Sequence, residues 1–415
     1  MTSIRRATSV ALGLALAVTL GTAAALPATA APAPVPRTEK ASVAPDGTDG
    51  DAPSGGPSLS ADGRHLAFVS RADNLVAGDT DGLADAFVRD LDTGTTRLAS
   101  GGVDGPVDDV ALSGNGRYLA FAATDASDGR SHIWVKDLKN GTLQRIADTV
   151  ATGYDTGRQP AISADGRYVA FVAQRSEFAQ GEDVWGRVYR VDRTGGEAVR
   201  ISQVPAATDR KTAATNPSIS ADGSRVGYQF FVPHPSSGDW SDAWVRDVPS
   251  GKLFHADLAP DGLTSDGQTE FPQISADGRY AVFNSLDSRL TPGDTNQGHN
   301  VFVRDLKTGD LRRIDAADPA AFTAFPRLSA DSRYLAFVSA DPGDPDRTTR
   351  AYVRDLRTGR TVLASPDAEG RPNDQSVSAP VIDRHGREVA FSSSSPDLVP
   401  GDTYDTSHVY VRHLR

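Results

Sequence analysis

The sequence predicts an all-β fold, a seven-bladed β-propeller built of four-stranded antiparallel blades. Three observations carry that prediction. One segment recurs seven times at a near-constant interval. Each interval contains signals for four short strands. The composition suits turns and strands, since Asp and Gly abound while Glu occurs only at positions 39, 177, 182, 197, 270, 369 and 388.

The recurring segment is "PSLSADGRHLAFVS" at 57, which returns as "VALSGNGRYLAFAA" at 110 and "PAISADGRYVAFVA" at 160. Further copies are "PSISADGSRVGYQF" at 217, "PQISADGRYAVFNS" at 272, "PRLSADSRYLAFVS" at 326 and the worn "PVIDRHGREVAFSS" at 380. Their anchors, Ser60, Ser113, Ser163, Ser220, Ser275, Ser329 and Asp383, are 53, 50, 57, 55, 54 and 54 residues apart, which means one structural unit per copy. "PSLS" is the first strand of a unit. "ADGR" is a tight turn in which Asp bonds its own backbone and Gly takes positive φ. "HLAFVS" is a second, largely apolar strand. "DAFVRD" at 85, with its copies "HIWVKD", "RVYRVD", "DAWVRD", "NVFVRD", "RAYVRD" and "HVYVRH", is a third. "LDTGT" and its relatives then turn the chain into a fourth. Four antiparallel strands at this period describe a propeller blade.

The first copy places Ser60, Asp62 and His65 within six positions, a grouping that invites a catalytic reading. Ser60 recurs at six of the seven anchors, whereas His65 does not recur and Tyr usually replaces it. A triad is needed once, so the segment reads as a structural hairpin.

The seventh unit stops on its third strand, at Arg415. The segment after residue 38, "EKASVAPDGTDGDAPSGGPSLSADG", parallels "LFHADLAPDGLTSDGQTEFPQISADG" at 253, which begins with a fourth strand. Residues 38–44 are therefore expected to complete the last blade and close the ring, which removes exposed edges. Residues 38–415 then form one domain. Before it, Arg5 and Arg6, an apolar run and "ATA" at 28–30 read as a signal peptide over 1–30, followed by a Pro-rich leader over 31–37. No hydrophobic residues follow the arginine pair as a twin-arginine signal requires, so general secretion to an extracellular location is expected. No later segment approaches the ~20 apolar residues of a membrane-spanning helix.

The "SADGR…AF" and "V-R-D-L-x-T-G" segments resemble the TolB-type β-propeller repeat, a WD-repeat-like family of exported bacterial proteins. The resemblance runs from about residue 38 to the end. It implies a propeller and, in that superfamily, binding roles more often than catalysis. The chain departs from TolB itself in its number of units and in lacking an α/β domain before them.

Composition narrows the function. There is no cysteine, which excludes disulfides, thiolate metal sites and a cysteine nucleophile. The net charge is −11, or −13 without Arg5 and Arg6, and no basic run offsets it. Nucleic acid and anionic membrane are poor partners for such a chain. No G-x-S-x-G elbow or H-E-x-x-H motif is present, and the eight histidines are scattered.

Turns between strands one and two, and between three and four, are tight and nearly constant. The remaining connections differ in every copy and emerge together on the opposite face, where function on a rigid scaffold is expected. Trp185 and Trp240, with Phe178 and His234, are candidates for an aromatic platform in the second-to-third-strand loops of adjacent blades. Asp183 and Asp239 are the acids beside them, with Glu182 and Asp242. Trp134 and Trp244 instead take the place of Phe87 and Phe302 and read as core. The Arg of "VRD" reads as blade-to-blade ion pairing or stem packing.

In "NLVAGDTDGLADAF", Asp79, Asp81 and Asp85 have an oxygen-ligand spacing that calcium accepts. The same register holds Asp294, Asn296 and Asn300, then Asp402, Tyr404 and His408, where the ligands give way to neutral groups. An Asp that bonds its own backbone explains "GDT" without metal. The expectation is therefore no cofactor, with calcium the one ion that the first loop suits.

These observations favour an exported, monomeric, non-enzymatic binding or scaffold propeller. It would recognise a protein, peptide or glycan through its variable-loop face. Two alternatives stay open: a carbohydrate-active lyase or glycoside hydrolase using loop acids, and a TolB-like cell-envelope assembly component.

Overall fold

Each copy of the repeat folds into its own four-stranded antiparallel sheet, and the computed structural model contains seven of them. It describes residues 36–146, 156–174, 186–203, 212–234, 238–263, 267–292, 294, 298–316, 318–344, 346–402 and 406–414. The signal segment expected at 1–30 and the leader up to residue 35 lie outside the described residues, which contain no helix. Blades 1 to 7 take their inner strands from Ser54–Leu59, Val107–Leu112, Thr156–Ile162, Ala213–Ile219, Thr269–Ile274, Phe322–Leu328 and Val381–Ile382. Because each blade is a meander, its two tight turns share one face of the ring. The two variable connections share the other.

The Ser–Asp pair braces the inner hairpin. Ser60 Oγ donates to Asp62 Oδ1 at 2.6 Å and accepts the amide of His65 at 3.0 Å. Ser163, Ser220, Ser275 and Ser329 make the same two bonds, and Ser113 makes them with Asn115 in place of the Asp. In blade 7, the carboxylate of Asp383 takes the amides of Arg387 and Glu388 itself. The residue after the turn packs on the glycine of the next blade. Tyr118 lies so near Gly166 that a Cβ there would sit 2.1 Å from its ring, and His65 lies against Gly116 in the same way. His65 thus does the work of Tyr at a blade seam. In blade 6 the turn glycine is replaced by Ser332, held at φ 59° with its hydroxyl buried and unpartnered.

Inside a blade, aromatic side chains of the second and third strands stack, as in Phe68–Phe87 at 5.8 Å and Phe391–Tyr410 at 6.0 Å. Between blades, apolar side chains interleave. Leu119 and Phe121 of blade 2, for example, pack on Ala67, Ala86 and Val88 of blade 1. Among the described residues, the "VRD" arginines form hydrogen bonds rather than the ion pairs considered above. Arg304 donates to the carbonyls of Ala256 (2.8 Å) and Leu258 in blade 4, and Arg354 to that of Asp315 in blade 5 (3.1 Å). The Asp of the same motif pairs instead with the Arg of the "ADGR" turn in its own blade, as in Arg279–Asp305 at 2.6 Å and Arg333–Asp355 at 2.7 Å. In blades 2, 3, 5 and 6 the two tight turns are tied together in this way.

The ring is closed by its first strand. Arg37–Lys40 pairs antiparallel with His408–His413, from Arg37 opposite His413 to Lys40 opposite Tyr410. Regular pairing therefore starts one residue before the expected 38–44 and ends at Lys40. Beyond it the chain curls into a turn in which the Ala44 amide donates to the Thr48 carbonyl. Where blade 7 meets blade 1, the Ser54 amide donates to the Ser407 carbonyl and the Arg384 amide to the Ala61 carbonyl, both at 2.8 Å. Lys40 Nζ lies 2.5 Å from the buried carboxylate of Asp402. His413 sits between Glu388 (2.6 Å) and Glu39 (3.3 Å), tying the N-terminal strand to the blade that it completes.

Two outcomes follow. Hydrogen bonds to Glu388 and Glu39 push His413 up to about 9 from 6.5. A raised folded value means that its stabilisation is complete below pH 6.5 and is lost as pH rises through about 9. The carboxylates of Asp242 and Asp257 outweigh burial and raise His255 to about 9 as well. The melting temperature should therefore fall over this window, and His413→Asn should remove about half of the fall, a loss of order 2 kcal/mol. A variant whose pH profile matches the parent contradicts the role of His413 in closure. Ser332→Gly should raise stability by about 1 kcal/mol in urea unfolding by relieving a left-handed L-residue. A destabilised variant refutes the strain.

Candidate functional site

The inner strands surround a central channel with a cavity of about 400 Å³. Its wall includes one position of six repeats, the residue before the repeat's Pro (or Val110 in blade 2): Gly56, Asp109, Gln159, Asn216, Phe271 and Ala379, with Phe325 at the same position in blade 6 packed on Phe271. Proline cannot donate to the ladder and steers the preceding residue out of the right-handed helical region. The inner strands of blades 1, 3, 4, 5 and 6 accordingly bulge there, with register shifts such as Arg158/Ala161 and Thr215/Ser218. The bulge residues take left-handed φ: 60° at Gly56, 51° at Gln159, 50° at Asn216, 50° at Phe271 and 53° at Phe325. Gly and Asn accept this readily, whereas Gln and Phe hold it against roughly 1 kcal/mol of strain each.

The backbone repeats, but the chemistry around the channel does not. On one side Gln159 and Asn216 form an amide pair. Asn216 N donates to Gln159 Oε1 at 2.9 Å, and Gln159 Nε2 donates to Asn216 Oδ1 at 3.1 Å. Asn216 Nδ2 continues to Gln229 Oε1 at 2.7 Å. In blades 5 and 6, Phe271 and Phe325 pack with ring centroids 4.6 Å apart. Beside them the buried Asn284 donates to Glu270 at 3.3 Å and lies 3.2 Å from His299 Nδ1. Burial holds His299 below its ordinary value.

One charge of each sign lines the channel. Asp109 in blade 2 and Arg327 in blade 6 both face the cavity. Burial drives Asp109 up to about 6 and Arg327 down to about 10, and their mutual attraction offsets only part of this. The protein keeps a carboxylate and a guanidinium where solvation is poor, a placement that stability alone does not reward.

The described residues among those singled out from sequence do not line this cavity. Phe178, Asp183 and Trp185 fall outside the described residues. Trp240, His234 and Asp239 do not lie in a loop as expected. The second and third strands of blade 4 extend to Arg225–His234 and Gly238–Asp247, and Val232 pairs with Trp240, Pro233 with Asp239 and His234 with Gly238. The run "QFFV" facing "DWSDAWV" has the aromatic and β-branched character that prolongs a ladder. Trp134 packs in the layer between blades 1 and 2, and Trp244 stacks on His255 at 4.3 Å. Asp79, Asp81 and Asp85 do come together, with carboxylate oxygens within 4.8 Å of one another. The channel ring escaped the sequence reading although its signal was present, as the one variable letter before the repeated Pro.

No protein-family model and no curated protein sequence matches the chain. Solved structures do. An oligogalacturonate lyase in complex with manganese aligns over 91% of this chain and 93% of its own, at 15% identity and a TM-score of 0.61. The oligogalacturonate lyase of Vibrio parahaemolyticus aligns over 92% and 97%, at 14% identity and a TM-score of 0.60. The propeller domain of the Trilobed protease from Pyrococcus furiosus, described as having an open velcro topology, aligns over 82% and 91% at 12% identity and a TM-score of 0.55. A putative TolB from Agrobacterium tumefaciens aligns over 79% and 96%, at 17% identity and a TM-score of 0.44. The likeness shows the fold. Among the described residues, the groups of acids and histidines close enough to share an ion are Asp79–Asp81–Asp85, Asp125–Asp128–His132 and Asp242–His255–Asp257. None of these lines the channel.

Asp109→Asn provides the check on the channel. A carboxylate raised above its unfolded value of 3.8 opposes folding increasingly between that value and about 6. The variant should therefore be about 1–2 kcal/mol more stable than the parent at pH 7, with no gain below about pH 4. Destabilisation at pH 7 shows that the charge is structural.

Proposed function

We propose that the chain is an exported, non-enzymatic binding propeller that recognises a peptide, protein segment or glycan on its variable-loop face, with the central channel as the seat of recognition. The observation that supports this is the chemical inequality of the channel ring on a repeated backbone. An amide pair, an aromatic pair and an acid stand at the one repeated position, and an arginine stands two residues beyond it in blade 6. Aromatic faces with amide and charged partners suit a sugar ring or a peptide side chain. The wall exposes more polar than apolar surface, with side-chain amides, an acid and an arginine set around it. Phe271 and Phe325 would supply stacking surface and Arg327 a carboxylate contact.

The test is a thermal-shift screen of the chain without its signal segment against neutral and acidic oligosaccharides and a peptide library, with mass analysis of every ligand that binds. The expected result is a ligand recovered with unchanged mass. Phe271→Ala and Arg327→Gln should each weaken it at least about tenfold, the 1.4 kcal/mol or more of a lost central contact. A ligand recovered as unsaturated or shortened sugar makes the chain a carbohydrate-active enzyme and overturns the proposal. Binding that survives both substitutions moves the seat away from the channel.

A further inference from the structure

Three blades carry the same loop in one register. Segments 74–87, 289–302 and 397–410 align without a gap on "GDT", which places Asp79, Asp294 and Asp402 at one structural position. All three are buried: the residue exposure of Asp79 is 8%, and the side chains of Asp294 and Asp402 are 2% and 0% exposed. A buried carboxylate needs a counter-charge. Arg313 Nη1 supplies it to Asp294 at 2.7 Å, and Lys40 Nζ supplies it to Asp402 at 2.5 Å.

Both cations come from one place, the outer-strand residue paired with the third-strand aromatic. Arg313 is opposite Phe302, and Lys40 is opposite Tyr410. The same position holds Arg145 opposite Trp134, Arg200 opposite Tyr189 and His255 opposite Trp244. Arg145 reaches Asp125 and Asp128, and His255 reaches Asp257 at 3.0 Å. Only blades 1 and 6 depart, with Leu98 opposite Phe87 and Leu363 opposite Tyr352. Blade 6 compensates, since Arg350 lies 3.4 Å from its loop residue Asp344.

Blade 1 does not compensate, and it adds acid where the others remove it. Asp81 and Asp85 stand where the sequence elsewhere has Asn296 and Asn300, or Tyr404 and His408. Asp81 accepts the amide of Leu83, and Asp85 accepts the hydroxyl of Ser100. Asp79, more than nine-tenths buried, accepts no hydrogen bond among the described residues, and its carboxylate faces the other two. Burial and the carboxylates of Asp85, Asp81, Asp73 and Asp51 push it up to about 6.

We propose that blade 1 binds one calcium ion through Asp79, Asp81 and Asp85, the ion taking the place that a basic side chain fills in the other blades. The donors are all hard oxygens, as calcium prefers, and no nitrogen or sulfur completes the group. Two oxygens each about 2.4 Å from one ion are at most about 4.8 Å apart, and the three carboxylates meet that limit.

The test uses the chain without its signal segment, treated with chelator and titrated with calcium chloride. Calorimetry should give one ion per chain. The melting temperature should rise by about 3 °C at roughly a hundredfold excess over Kd. Asp79→Asn should abolish both effects, and Asp81→Asn, at an exposed position, should weaken them without endangering the fold. Leu98→Arg is the decisive variant. It should lose the calcium response and, free of metal, melt above the parent. No stoichiometric calcium in the parent, or a Leu98→Arg variant that responds as the parent does, overturns the site.

Discussion

The structure depends on four residues near one end of the chain reaching six near the other. Arg37–Lys40 against His408–His413 is a short ladder, yet each apolar layer between blades needs a blade on both sides. If this strand left, blade 7 would lose its outer strand and the seam with blade 1 would depend on a few inner-strand bonds. The chain therefore reinforces the pairing with charge. Lys40 is buried against Asp402, and His413 is clamped by two glutamates, in a protein where Glu is scarce. Closure also has a sequence-distance cost, because the partners lie more than 360 residues apart. Closing so long a loop costs more chain entropy than any pairing within a blade.

The remaining seams use local devices repeated from blade to blade. A Ser and an Asp fix the inner hairpin, a Tyr or His fills the space beneath the next glycine, and an Arg reaches back to the preceding blade's carbonyls. These devices involve backbone groups or side chains that the repeat itself supplies. Outside them, the loops and the channel positions vary freely among the copies.

This division explains what could be read from sequence. The blade count, the strand order and the closing strand were legible because each rests on residues that recur in register. The hairpin role of Ser60 was legible for the same reason. The unusual length of the blade 4 hairpin was not, because nothing in the other copies announces it, and Trp240 was placed in a loop that is a ladder. The channel ring was missed because its residues share a position but no letter. The acids of blade 1 are legible in the sequence, but their lack of a basic partner on the outer strand shows only in the pairing register that sets Leu98 opposite Phe87. Linear reading finds what repeats, whereas the channel ring and the blade 1 acids are features that fail to repeat.

The inner-strand bulge has one further consequence. By taking the residue before Pro out of the hydrogen-bond ladder, it uncouples that side chain from the strength of the sheet. The channel wall can then be rewritten one blade at a time, like separate tumblers in a lock, while the sheet and the seams stay as they are. The limit is steric: β-branched residues fit left-handed backbone poorly, and the ring contains no Val, Ile or Thr. A scaffold of this kind can acquire a new specificity by few substitutions and without loss of fold, provided that the newcomers are flexible or flat.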